Sequence, residues 1–412
     1  MGHYTESWIA VGDNNRVPVA AFVPSSPLDV EREAFTIAHA AHLGAAHRAY
    51  GRYEVTVAER GGDGGDLMLM IEAMCSARID GVTADLPAIM LELEAPGDEA
   101  TPARRIAAHI TQLGTVSRET LDAPGAIVAL HQAYVDAMPP DAARGGLRST
   151  QVWIGSGSRV EYVPPPPHVL ASVVGRIEEY LDAEAQGTED FLVRAIVAHA
   201  SLALALPFSG ANGTSSRALA QAVLARNSFE PDALVPLSMP FSQYRESYRG
   251  LLDAMGPGTL RRGWQHVDPM REGLAAVSHA AERATDIRLS AWHLWSEGCG
   301  LIWAELGARQ NDAIFEIWRE ISHAIGLTAQ SAASGAGVTV DAARHSLRRL
   351  EALGLVTTVP AGRRTLYMAP EVGRVVELGM DHPLDTSWPE PDFSHIRART
   401  DAAIEQRRSK SR

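Results

Sequence analysis

Residues 196–224, IVAHASLALALPFSGANGTSSRALAQAVL, are the most informative stretch of the chain. An apolar helical run breaks at Pro207-Phe208, passes through Ser209, Gly210, Ala211, Asn212 and Gly213, and re-enters a helix from Thr214. Small residues between two helices let several backbone N–H groups point into one concavity. The positive end of the second helix reinforces it, so the pattern suits an anion. Arg217, early in that second helix, is placed to clamp a phosphate oxygen. The same spacing also serves a tight helix–helix turn in which Arg217 pairs with a structural carboxylate, and the residue pattern leaves both readings open.

Around this stretch lie 412 residues, 46% hydrophobic and 21% charged, enough for a sizeable core and more than one domain. Of the 37 basic residues only Lys410 is lysine. That excludes an interior Schiff-base lysine, a Walker-type phosphate loop and a kinase lysine. The excess of Ala, Gly and Arg suggests a GC-rich genome. The net charge of −13 excludes a whole-molecule basic field, so any nucleic-acid surface must be local. Cys75 and Cys299 form neither a metal spacing nor a disulfide framework, which fits a reducing cytoplasm. No signal-like start and no long apolar run is present, so a cytoplasmic protein without a membrane span is expected.

Along the chain, residues 1–65 mix short apolar pieces with Pro and Gly, and RYEVTVA at 52–58 alternates like a strand. Helices are expected over 66–80, with Asp66 as N-cap and Gly81 past the end, and over about 100–118 and 122–138. QVWIG and VEYVPPPPH, separated by a Gly/Ser turn, read as a hairpin flap followed by a stiff proline segment. Helices resume over about 168–183, 188–204, 214–226 and through 241–325. Residues 321–370 read as a winged helix-turn-helix. VTVDAARHSLRRLEAL supplies the amphipathic second helix and LVTTVPAGRRTLYMA a two-stranded wing. Arg344, Arg348, Arg349, Arg363 and Arg364 make this unit the local candidate for DNA. Asp341 and Glu351 on the same helix favour a structural or dimer-contact role over DNA. The Pro-rich, then basic, residues after 372 read as an extension with a frayed end.

Four separated elements resemble the Fic (Fido) family in family order: the motif loop, the QVWIG and VPPPP flap pieces, the helix before His199, and SMPFSQYRESYRGLL at 238–252. The resemblance covers roughly 66–265. It implies a mostly α fold, a Fic-fold helical core with a β-hairpin flap, plus the C-terminal winged helix-turn-helix. The division is 1–120 as an N-terminal segment with an inhibitory-like helix, 121–265 as Fic core, 266–320 as helical connector, 321–372 as winged helix and 373–412 as extension.

The family motif is His-Pro-Phe, an acid two positions after Phe, Gly-Asn-Gly-Arg, and a second Arg three further on. Pro207, Phe208, Asn212, Gly213 and Arg217 match it. Leu206 stands in the His slot, Gly210 in the acid slot, Ala211 in the first Gly slot and Thr214 in the first Arg slot. Leu206 has no atom to take a proton, and Gly210 cannot coordinate Mg²⁺. The losses cost roughly 10²–10⁴-fold each if they follow general acid–base magnitudes. The resemblance therefore implies a degenerate motif that does not perform ordinary AMP transfer. A phosphate- or carboxylate-bearing ligand, with a nucleotide as the implied cofactor class, would be held by Asn212, Gly213, Thr214 and Arg217. His199, Leu206, Phe208, Ser209 and Gly210 are the pocket candidates, with His199 read as structural.

The resemblance also matches Ser76, Asp80 and Gly81 to an inhibitory helix whose acid pairs with the second motif Arg. Asp replaces Glu here, so a contact with Arg217 is expected to be weakened or bridged by water. Three functions stay open: a divergent enzyme with altered group-transfer chemistry, a non-catalytic ligand-sensing regulator with a DNA- or protein-binding winged helix, and a structural subunit. A protein target at the flap and a homodimer are the implied partners, and no metal site is expected.

Overall fold

The computed structural model describes residues 2–11, 15–27, 38–60, 65–139, 145–156, 159–182, 189–230, 233–256, 268–309, 312–361 and 364–410. Two strands open the chain, β1 (Gly2–Val11) and β2 (Asn15–Pro24), paired antiparallel with Gly2 opposite Pro24. Helix α1 (Ala40–Arg60) follows and corrects the strand expected at 52–58. Tyr50, Tyr53, Glu54 and Val57 are buried while Val55 is 49% exposed, which is helical and not alternating burial. The β-branched residues of RYEVTVA are overruled by tertiary packing of that face.

Helix α2 (Gly65–Ile79) begins one residue before Asp66, so Asp66 lies inside the helix and is not its N-cap. Gly81 beyond it has φ +77°, a value that favours glycine. A helix not separately expected, α3 (Leu86–Glu94), is capped by Asp85. Helices α4 (Pro102–Gly114) and α5 (Ala126–Asp136) are shorter than the sequence pattern suggested. The flap is a hairpin of β3 (Ile154–Ser156) and β4 (Arg159–Tyr162). After the prolines come α6 (Leu170–Asp182), α7 (Phe191–Ala205), α8 (Asn212–Asn227), α9 (Ser238–Gln243) and α10 (Arg245–Met255).

The segment expected to be a connector is the spine of the molecule. Helix α11 (Pro269–Leu306) runs 38 residues with its N-terminus capped by Asp268, and it packs on α1 and α7. Close approach is built in with glycine: a Cβ on Gly273 would lie 2.8 Å from Ile196, and one on Gly298 2.5 Å from the Trp318 indole. Beyond α12 (Ala313–Ala324), the next elements are β5 (Gly326–Thr328), α13 (Ala329–Gly335), α14 (Val340–Ala352), β6 (Thr357–Ala361) and β7 (Arg364–Met368). The three strands form an antiparallel sheet ordered β5-β7-β6. Ala343, Leu347 and Leu350 of α14 face its core.

The last stretch is a second correction. Helix α15 (Pro370–Asp381) runs across the boundary placed at 372, and α16 (Ser394–Lys410) packs against α11. Phe393, Ile396 and Ala403 are buried, and Arg399 reaches Glu305 at 2.9 Å and the Leu353 carbonyl at 2.8 Å. No helix among the described residues is long and apolar enough to cross a membrane.

One tie between elements carries a pH dependence. His47 on α1 contacts Asp190, the N-cap of α7, at 2.5 Å, and this hydrogen bond raises the imidazole pKa above its ordinary 6.5. The tie thus contributes its full stability below pH 6.5 and loses it as pH rises through the higher folded-state value. Urea unfolding of the wild type and His47→Gln is expected to show a gap at pH 6 that closes by about pH 9. A gap that stays constant over that range would contradict the assignment.

Candidate active-site cavity

The motif loop is held by residues that the sequence pattern assigned to the ligand. Helix α7 ends at Leu206 (φ +42°), and α8 is entered through Ala211 (φ +54°), both left-handed without being glycine. The Asn212 amide closes the turn between them. Its Oδ1 accepts from the Phe208 N–H at 2.8 Å and its Nδ2 donates to the Phe208 carbonyl at 3.0 Å. Asn212 therefore orders the loop with both ends of its amide. Phe208 is buried and stacks on the His131 ring at 3.7 Å, 6° from parallel, and His131 Nδ1 meets Ser215 Oγ at 2.9 Å. Arg148, which no sequence motif pointed to, donates to the carbonyls of Leu206, Thr150 and Pro165 and so ties the loop to the flap. Burial lowers its pKa to about 10.

Beside the α8 N-terminus lies a cavity of about 580 Å³, lined by Asp80, Arg105, His109, His131, Tyr134 and the loop from Ser209 to Thr214. Ser209 and Gly210 belong to this lining, whereas His199, Leu206 and Phe208 do not. Leu206 packs against the cluster of Phe22, Tyr162 and Leu204. His199 is buried, contacts the Tyr248 hydroxyl at 3.1 Å and stacks on Phe241 and Tyr248. Burial pushes its pKa down to about 4, so it is neutral and structural. His109 is likewise held neutral, pushed by burial to about 3, with Nδ1 on the Gln112 carboxamide oxygen at 2.9 Å. Gln112 donates its own N–H to the Leu130 carbonyl, which fixes the amide orientation and makes His109 Nδ1 the protonated nitrogen.

The α8 N-terminus opens on this cavity without a side-chain cap, because its N-cap is Ala211. Its first backbone donors, at 212 to 214, precede the first intrahelical bond, made by Ser215 N to the Ala211 carbonyl. Gly213 and Thr214 belong to the lining, and Arg217 does not. The Arg217 side chain is 1% exposed. Its Nε donates to Ser76 Oγ at 2.7 Å, and its Nη2 donates to the Ser76 carbonyl at 3.1 Å and to Asp80 Oδ2 at 2.6 Å. The Asp80 contact is direct, not the weakened or water-bridged one expected of the shorter acid. Gly213 sits inside this clasp: a Cβ there would meet Arg217 Nη1 at 2.9 Å and Asp80 Oδ1 at 3.1 Å. Below it, Glu72 of α2 is fully buried and accepts from Ser238 N and Oγ at 2.8 and 2.6 Å, and burial raises its pKa.

These residues do not fit a magnesium nucleotide in the family's manner. Gly210 offers no side-chain ligand atom, Asp80 is the one carboxylate among the lining residues named, and Arg217 holds it. Among the described residues no group of three His, Cys, Asp or Glu could hold a metal. On the C-terminal unit, Arg344 pairs with Asp341 at 3.2 Å, Arg348 is exposed and Arg349 is half-buried. Arg363 lies outside the described residues, as does the side chain of Arg364.

Residues 121–224 match the family model described as "Fic/DOC family". Over 135 residues the chain is 29% identical to protein adenylyltransferase fic-1 of Caenorhabditis elegans, covering 33% of this chain and 24% of that protein. It is 30% identical over 135 residues to protein adenylyltransferase Fic of Drosophila grimshawi, covering 33% and 26%. The chain thus spans about a quarter of the length of these relatives. A crystal structure of a Fic family protein from Desulfovibrio desulfuricans aligns with a TM-score of 0.48 at 17% identity, over 81% of this chain and 95% of that one. Residues 121–224 thus carry a Fic/DOC-family domain within a mostly α-helical fold.

Proposed function

We propose that this chain is a Fic protein that binds an anionic small molecule in the cavity at the α8 N-terminus and does not transfer AMP. The observation that carries the reading is an uncapped helix N-terminus facing a ligand-sized cavity that holds neither a base in the His slot nor a carboxylate in the acid slot. In this reading the cavity holds and orients its ligand through backbone donors, and His109, which burial keeps neutral, brings no positive charge to the anion. The Asp80–Arg217 clasp is the counterpart of the family's inhibitory contact. The C-terminal β5-α13-α14-β6-β7 unit is read as a winged helix used for protein contact, since the Arg344 charge is already countered by Asp341. In this reading the cavity senses a ligand and the module reports it.

The test combines a thermal shift with intact-protein mass. Phosphate-bearing ligands are expected to stabilise the chain, by about 2.7 kcal/mol at a hundredfold excess over Kd. Incubation with ATP and Mg²⁺ is expected to leave the mass unchanged. An AMP adduct on the wild-type chain would sink the proposal.

A further inference from the structure

We propose that the anion in this cavity is gripped by Arg105 and Tyr134, which line it together with the α8 N-terminus, and that the ligand is a phosphate monoester; the proposal rests on the ligand-binding reading above. The motif has lost its first Arg to Thr214, and its second, Arg217, is enclosed by Ser76 and Asp80 and absent from the cavity wall. The cationic partner must come from elsewhere, and the lining holds one: Arg105 of α4. Arg105 is solvent-accessible and has neither an ion pair nor a hydrogen bond among the described residues. An unpaired guanidinium on a concave wall is a ready donor to an oxyanion.

Tyr134 of α5 is the independent observation. It is 7% exposed, lines the same cavity, and its hydroxyl has no hydrogen-bond partner among the described residues. The ring is nearly buried while the hydroxyl opens on the cavity, where a ligand oxygen can accept from it. Burial raises the Tyr134 pKa, against the pull of Arg105 and with the push of Asp80, so the hydroxyl stays protonated and can donate. Asp80 is the opposing charge facing this space, and Arg217 counters it at 2.6 Å.

The chemistry of the walls selects the ligand. Arg105, Tyr134 and the α8 backbone N–H groups all donate. A tetrahedral phosphate dianion presents oxygens in three directions, whereas a planar carboxylate presents two in one plane. A cavity of about 580 Å³ is far larger than one phosphate group, so the ligand carries an organic portion.

The experiment is titration calorimetry of the full chain with inorganic phosphate, ribose 5-phosphate and AMP. The wild type is expected to bind both monoesters more tightly than inorganic phosphate. Arg105→Ala is expected to weaken them about 10- to 100-fold, Tyr134→Phe about 2- to 10-fold, and Arg105→Lys less than alanine because charge remains while the fork is lost. Melting of unliganded Arg105→Ala is expected to match the wild type, since an exposed side chain is removed. Wild-type affinity retained in both Arg105→Ala and Tyr134→Phe overturns this inference and leaves the ligand-binding reading standing. No binding of any of the three probes by the wild type overturns both.

Discussion

Replacing Arg217 with alanine is expected to destabilise the chain by about 2–4 kcal/mol, from buried Ser76 groups left without their donor and the void the side chain leaves. The side chain is 1% exposed and donates three hydrogen bonds, two to Ser76 and one to Asp80, across 141 and 137 residues of sequence. Truncation leaves Ser76 Oγ without its donor and opens a void between α2 and α8. Asp80 is 41% exposed and can rehydrate, so most of the loss comes from the Ser76 side. Arg217→Lys is expected to recover only part, because one ammonium cannot span both partners. Urea unfolding measures the change. A loss below about 1 kcal/mol would show that the clasp is a surface pair in disguise.

Trp318→Ala carries the second large effect, also about 3–5 kcal/mol. The indole is 1% exposed, its Nε1 donates to the Trp295 carbonyl at 3.0 Å, and its Nε1–Cε2–Cζ2 side lies against Gly298. It joins α12 to the spine α11, so its loss loosens the C-terminal unit from the core. Gly298→Ala probes the same contact from the other side. Its new Cβ would sit 2.5 Å from the ring, which forces a shift costing about 1–3 kcal/mol. Equal midpoints for wild type and Trp318→Ala would refute this account of the junction.

The central helices are readable because α7 ends just before Pro207 and α8 begins among the small residues that follow it. Elsewhere local signals misled. Tyr53, Val55 and Val57 alternate like a strand, but Tyr50 and Glu54 share a helical face that α11 covers. The β1–β2 hairpin was missed because Tyr4 and Trp8 stay more than half exposed, so hydropathy does not trace its buried side. Residues 373–412 look frayed in composition, yet Phe393 and Ile396 are buried. The site divides the same way. Asp80 and Arg217 could be paired through the resemblance. Asn212 could not be told from a ligand residue, since its partner is the backbone of Phe208. Arg105, His109 and Tyr134 belong to no motif; helix packing alone brings them to Gly213.

The enclosure of Arg217 also sets a threshold on which ligands count. Suppose opening the clasp costs about 3 kcal/mol, the scale of unpairing buried hydrogen-bonding groups; then roughly one molecule in 10² displays this guanidinium at any moment. A ligand that requires it binds about 10²-fold more weakly than its contacts alone would give. A ligand satisfied by Arg105 meets the conformer that already dominates, so the chain ranks its ligands by conformational population before any contact is made.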